Sequence, residues 1–452
     1  VVFNIPSEGV STISPTSPFA AITDPIIIDG YTQYGASPNT LPVGDNANIQ
    51  TELSGDSCSS APCAQGLLLS AGGSTIKGLS IHGNFNNGIE VNGSGSTITG
   101  NFFGLRANGT PAGVAASGIY LNNTTNNTIG GNAPADRNVS SNNRDGIFIA
   151  AGAADATNNF IAGNYIGTDP TGTLAQGNIQ RGIFIGSFGY TANHNAITGN
   201  LISGNGHFGV LVRDGGVTYT SLNGNLIGTD AAGTGALPNG NGDSPDDTLA
   251  RTNARAGIYI AGSNNWIGGL EQAGNTIAYN AGTGITVAFG SNTYISDNSI
   301  FSNSGPGIDL GADGVTFNHQ GVIEGPNNYQ NYPVLSVATF DGEFTRVGGE
   351  LDAEPDQYYT IEIFGNDSCD PTFFGEGQTY LGSFSVTTDA NGQAVFDQTV
   401  FAGVAEPHGI TATATGSDGT SEFSYCRPVS TSNLNWVQAQ LLESGSQTQQ
   451  YF

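Results

Sequence analysis

Basic side chains are scarce in this sequence, and their placement is the first hint of chemistry. Lys+Arg number 10 and His 5 against 37 Asp+Glu, a formal net charge of -27. Several of these cations fall at one place in a recurring phrase, a Gly followed by an apolar, any, apolar triplet. Arg144, His207 and Arg255 each stand two residues before the Gly of such a phrase, and Arg181 stands one residue before. Asp145 and Asp214 lie close by in sequence. If the phrases stack in register, Arg144, Arg181, His207 and Arg255 form one stripe. Planar guanidinium groups grip carboxylates and sulfates bidentately, so such a stripe suits the acidic groups of a glycan. An enzyme would draw its acid and base from Arg144, His207, Asp145 and Asp214. The plainer role for the same residues is to cap carbonyls and neutralise nearby acids.

Oxygen donors are the second group of candidates. Asp243, Asp246 and Asp247 share one short loop, and Asp309 and Asp313 fall near the last copy of the phrase. Such carboxylates suit calcium, although neither run has the alternating ligands and Gly of an EF-hand loop. The acids Asp352, Glu354 and Asp356 are read in the same way. Cys58 and Cys63 form a near pair, Cys369 and Cys426 a far one, and neither has Cys-x-x-Cys spacing. An even count in a secreted-looking acidic chain points to two disulfides, the simplest being Cys58–Cys63 and Cys369–Cys426. The sequence contains no Gly-x-Ser-x-Gly elbow, phosphate loop or His-Glu-x-x-His motif.

The elements that would position these residues are set by the phrase itself. Gly88-Ile89-Glu90-Val91, Gly118-Ile119-Tyr120-Leu121, Gly146-Ile147-Phe148-Ile149, Gly182-Ile183-Phe184-Ile185, Gly209-Val210-Leu211-Val212, Gly257-Ile258-Tyr259-Ile260, Gly284-Ile285-Thr286-Val287 and Gly307-Ile308-Asp309-Leu310 read as copies of one short strand. Short strands punctuated by Gly and Asn cannot bury a face alone, so coils must stack: the pattern predicts a right-handed parallel β-helix. Asn127, Asn159, Asn195, Asn265 and Asn292 precede strands, where Asn tolerates left-handed backbone and can bond the equivalent Asn one coil above. Loops beginning at Asn101, Asn164 and Asn225 repeat one another and should stack as a ridge along one flank.

The chain divides by style. Residues 1–57 are read as N-terminal β-rich first coils, 58–333 as the β-helix, 334–430 as an immunoglobulin-like sandwich of alternating strands, and 431–452 as a tail with a helical stripe over 434–442. Gly is plentiful, 68 of 452 residues, and only 10% of residues are charged, so the chain can bury a core and is not disordered. A field this negative repels phosphate backbones and anionic headgroups, which excludes nucleic acid as a partner. No apolar run reaches membrane-spanning length. The absence of Met and the start at Val1 are read as a processed, exported chain.

Val2-Phe3-Asn4-Ile5-Pro6, Ile28-Asp29-Gly30-Tyr31-Thr32-Gln33, the three repeated loops, Gly325-Pro326-Asn327-Asn328-Tyr329-Gln330-Asn331-Tyr332-Pro333 and Ser421-Glu422-Phe423-Ser424 carry a family likeness. The chain resembles bacterial secreted or surface proteins of the CSLREA-domain, right-handed β-helix type. The resemblance implies an all-β fold and an extracellular or cell-surface location more than it implies an activity. The leading expectation is a non-catalytic structural or adhesive protein that associates head to tail, through Val1, Val2 and Phe3 at one end and Trp436, Leu441, Leu442, Tyr451 and Phe452 at the other. The alternative is a lyase or hydrolase of acidic polysaccharides working along the Arg/His stripe, with calcium as its candidate cofactor.

Overall fold

The computed structural model describes every residue except 7–8, 60–61, 243–254, 270–273, 402–407 and 432–452. Asp243, Asp246 and Asp247, the tail residues Trp436, Leu441, Leu442, Tyr451 and Phe452, and the stripe over 434–442 lie outside the described residues.

Branched residues that alternate with polar ones over three to seven positions have one face to bury. They bury it by stacking into three parallel sheets of ten, nine and nine strands among the described residues. One coil runs through Val139–Ser140 in the first sheet, Asp145–Ala151 in the second and Phe160–Ala162 in the third, and the next coil starts at Tyr165–Ile166. Register puts Ile119, Ile147, Ile183, Val210, Ile258, Ile285 and Ile308 in one inward row of the second sheet. Ile129, Ile161, Ile197, Leu222, Ile267 and Ile295 form the matching row of the third. None of these side chains is more than 3% exposed. The parallel β-helix implied by pattern and resemblance is the architecture found. Ser11–Ile13 and Ile27–Asp29 already pair into the first and third sheets, so the N-terminal residues share the solenoid's hydrogen bonding.

The recurring Gly has a steric cause. A Cβ on Gly146 would lie 2.6 Å from the Gly182 carbonyl oxygen, and one on Gly182 would lie 2.6 Å from that of Gly209. Neighbouring coils therefore meet backbone to backbone at this point, where only Gly fits.

Asn corners form long ladders. Asn101, Asn138, Asn164, Asn200, Asn225 and Asn275 each donate a backbone N–H and a side-chain N–H to the Oδ1 of the next Asn, and the ladder ends at Asn298. A second ladder climbs through Asn143, Asn178, Asn205, Asn239, Asn280 and Asn303. Asn127, Asn159 and Asn195 make a third, which Thr220 continues by donating its N–H to Asn265. Asn292 departs from its expected role: it takes the left-handed corner at φ 60°, and Thr293 holds the ladder position, its N–H accepted by Asn327. The three repeated loops close through the bridges Leu105–Pro111, Thr168–Ala175 and Thr229–Ala236, and the Ala231 N–H donates to the Gly172 carbonyl, which joins two of them into a ridge.

Beyond the last coil two antiparallel sheets enclose a separate core. Val334–Phe340, Phe344–Asp352 and Gln393–Phe401 form one, joined by Ser430–Thr431; Thr379–Thr387, Tyr358–Asn366 and Gly409–Gly416 form the body of the other. Val347, Leu351, Ile361, Ile363 and Ile410 fill the space between them. Both disulfides are present, Cys58–Cys63 and Cys369–Cys426, each with Cα atoms 5.7 Å apart. Among the described residues no helix is long and apolar enough to cross a membrane.

The sandwich is fastened to the solenoid by three carboxylates. Glu376 Oε1 accepts both the backbone and the side-chain N–H of Asn303, at 2.8 and 2.9 Å, and so ends the second ladder as another Asn would. Glu362 accepts from Ser296 Oγ and the Asp297 N–H beside the end of the first ladder. Glu422 accepts the N–H groups of Leu310 and Thr316. Burial, aided by the nearby Asp309, pushes Glu422 up to about 8, and burial pushes Glu362 up to about 7.

Candidate functional site

The outer face of the second sheet carries the residues singled out for chemistry. Strand register sets Tyr120, Phe148, Phe184, Leu211 and Tyr259 in one outward row. Stacking of equivalent residues at the coil spacing lets rings lie face to face: Tyr120 and Phe148 have centroids 5.0 Å apart, Phe148 and Phe184 4.5 Å. Phe188 crosses both Phe148 and Phe184 at right angles. Leu211 breaks the row, having no ring to stack.

Beside this row lie the cations. Backbone bonds from Gln180 to Arg144 and from His207 to Gln180 put Arg144, Gln180 and His207 on one line, and the pairing of Phe208 with Ala256 adds Arg255 to it. Arg181 sits one position along, directly opposite Asp145. Arg181 is 2% exposed, its Nη1 3.3 Å from Asp145 Oδ1, and its guanidinium lies 4.6 Å over the Phe184 ring. The half-exposed Arg144 reaches the other oxygen, Nε to Oδ2 at 3.3 Å. Asp145 thus binds both arginines and is itself fully buried. Arg255 donates to the Gly242 carbonyl, and His207 is buried edge-on to Phe208. Asp214 stands apart at the corner between the second and third sheets, 3.6 Å from Arg213. The arrangement neutralises a buried acid and presents Arg144 to solvent. Among the described residues it does not set two carboxylates across a common space.

The same corner holds what the sequence reading passed over. A groove of about 440 Å³ opens there, floored by Leu211, Tyr259 and Ala261, with Phe289 on one side and Arg213 and Asp214 on the other. Phe289, which lines it, is 50% exposed, and Phe188, Tyr190 and Tyr219, on the same corner of neighbouring coils, are 46, 47 and 41% exposed. His194 stacks on Tyr219 at 5.0 Å, and Tyr219, Trp266 and Tyr294 continue the column. His194 and Tyr219 take left-handed φ of 53° and 55°, at the corner position that Asn126, Asn158 and Asn264 occupy in other coils. Rings at a position where Asn is favoured were the available signal in the sequence.

The metal candidates are placed separately. Asp309 Oδ1 accepts the N–H groups of Asp313 and Gly314, and burial pushes Asp309 up to about 6. The histidines are dispersed: His82 is buried 3.5 Å from Glu52, His319 bonds the Tyr329 carbonyl, His408 bonds that of Asp367, and His194 and His207 pack on rings. Among the described residues no three His, Cys, Asp or Glu converge as a metal site.

Several solved structures share a likeness. A tailspike protein, Dettilon gp208, is 14% identical over 92% of this chain and 86% of its own, with a TM-score of 0.29. The A-module of the Azotobacter vinelandii mannuronan C-5 epimerase AlgE6 is 14% identical over 66% of this chain and 78% of its own, TM-score 0.29. A mutant tailspike of the E. coli bacteriophage HK620, in complex with a hexasaccharide, is 10% identical over 88% and 84%, TM-score 0.30. The architecture rests on this chain's own strand pairing. Residues 105–332, half of the chain, match the family described as periplasmic copper-binding protein (NosD), and the chain belongs to that family.

Proposed function

We propose that this protein is an exported, non-catalytic β-helix that holds extended glycan chains along the corner between its second and third sheets. The observation that carries this reading is the exposure of Phe188, Tyr190, Tyr219 and Phe289 on that one corner, beside the groove that Phe289 lines. Aromatic rings pack against the C–H faces of pyranoses while Tyr hydroxyls reach the sugar hydroxyls. Successive coils repeat every ~4.8 Å, so a long surface can meet a long polymer unit by unit. The two disulfides fit an oxidising compartment outside the cytoplasm, and surface display is part of the proposal. Asp145, tied to two arginines, is poorly suited to proton transfer, which weighs against acid–base chemistry along the stripe.

Copper fits the chain poorly. The sequence has no Met, both Cys pairs are disulfides, and each His has a separate neighbour, so soft or imidazole donors do not gather. No step of the proposed function passes through a metal. Head-to-tail association of copies remains part of the proposal, and the sedimentation of the purified protein tests it.

Retention of the purified protein on immobilised polysaccharides tests the reading. A Tyr190→Ala/Tyr219→Ala variant should lose most of that retention, and soluble glycans should gain no new reducing or unsaturated ends. Failure to retain any glycan overturns glycan binding. Release of such ends, abolished by Arg144→Ala or His207→Ala, overturns the non-catalytic part.

A further inference from the structure

We infer that the groove at Leu211 is a subsite for an isolated acidic group on an otherwise uncharged glycan, with Arg213 as its anchor. The inference rests on the proposed glycan binding and specifies which glycans. Space lies beside the residue that breaks the aromatic row: Leu211 stands between Phe184 and Tyr259 in register and is part of the lining of the groove of about 440 Å³. That volume lies in the range of small-ligand sites and admits one or two pyranose units. Phe289, half-exposed at one side, supplies an apolar wall for a sugar face.

Arg213 supplies the charge. It ends the strand Phe208–Arg213 at the lip of the groove and is opposite Gly186 of the neighbouring coil, which brings no side chain against it. Its one ion pair is made by Nε, 3.6 Å from Asp214 Oδ2, and its side chain is 27% exposed. Among the described residues the two terminal nitrogens form no hydrogen bond, and a guanidinium presented in this way matches a carboxylate. Asp214, which steadies Nε, is held at φ 78°, a left-handed conformation that costs ~1–3 kcal/mol and is found at ligand clamps.

Long-range electrostatics narrow the ligand class. On a chain of net charge -27, a polymer with an acid on every residue sets further acids against the surrounding surface outside the groove, and each of them adds local repulsion. One acid seated against Arg213 is screened from distant carboxylates beyond ~8 Å at physiological salt. The favoured ligand is therefore a mainly neutral glycan with occasional uronate or similar carboxylate substituents.

Titration with D-glucuronate and with methyl glucoside, followed by NMR of the folded protein, tests this directly. Glucuronate should bind about tenfold to a hundredfold more tightly than the glucoside, the range for one charge-assisted bond. Arg213→Gln should erase the difference while leaving the circular dichroism spectrum and glycan retention through Tyr190 and Tyr219 in place. Equal binding of the two sugars, or an unchanged preference in Arg213→Gln, overturns the subsite. If neutral polysaccharides are still retained in that case, only the subsite has failed; if none is retained, the glycan-binding reading has failed with it. Polygalacturonate binding more tightly per acid than glucuronate overturns the restriction to sparse charge.

Discussion

Glu376 is where a ladder built by one part of the chain is finished by another, and replacing it should separate acceptor geometry from charge. In each step of the second ladder an Asn Oδ1 accepts from the coil before it; at the top, Glu376 Oε1 accepts the Asn303 N–H at 2.8 Å and Nδ2–H at 2.9 Å. Glu376→Ala strands two donors on a residue that is 7% exposed. Each buried unsatisfied donor costs ~1–3 kcal/mol, about 2–6 in all. A groove of about 300 Å³ runs past Asn303 and Glu376 and admits water, so the lower part of that range applies. Glu376→Gln keeps a carbonyl oxygen in place and removes a carboxylate whose pKa burial has raised. It should cost less than ~1 kcal/mol, the worth of one ordinary hydrogen bond, and should gain on the parent as pH rises.

The assay is urea denaturation of both variants at pH 5.5 and 8, with amide hydrogen exchange of Ser299–Phe301 and Ile308–Leu310. Solenoid coils depend chiefly on their neighbours, so the Ala variant should speed exchange in these last strands and leave Asp145–Ala151 unchanged. Equal losses in Ala and Gln, or no change in exchange at the last coil, would refute the claim that Glu376 acts as the terminal ladder acceptor.

Two further outcomes follow from the same structure. Glu422 and Glu362, raised to about 8 and about 7 from 4.5, bind protons more tightly folded than unfolded, so their contribution is fully present below pH 4.5 and is lost as pH rises through 7 and 8. Each group removes up to ~1.4 kcal/mol per pH unit across its own window, and calorimetry should show the melting temperature falling from pH 5 to pH 8.5; a flat or rising profile contradicts the assignment. Arg181→Met should cost ~3–5 kcal/mol by breaking a buried pair, whereas Arg144→Met, half-exposed, should cost under ~1 kcal/mol. Equal losses in the two variants, read from denaturant midpoints, would mean that depth does not set the role of the stripe.

How much of this was legible in the sequence depends on whether a property repeats from coil to coil. The Gly of each phrase repeats because backbone meets backbone at every turn, as at Gly146 and Gly182. The Asn corners repeat because each ladder step is satisfied only by the next coil. Register was therefore readable, and it placed Arg144, His207 and Arg255 on one line. Depth was not, because it depends on what covers the outer face. Arg181, one position from that line, is sealed between Asp145 and Phe184, while Arg144 reaches solvent. The junction was equally hidden: Glu376 lies 73 residues from Asn303, and no local pattern marks it as the acceptor. The groove belongs to a third kind of information, carried by exceptions to the repeat. Leu211 stands where rings are the rule and lines the groove, and His194 and Tyr219 where Asn is the rule accept backbone strain to crowd aromatic surface onto the same corner. In a solenoid the conserved positions of the repeat pay for folding, so the departures from it are where a ligand's shape and charge can be written.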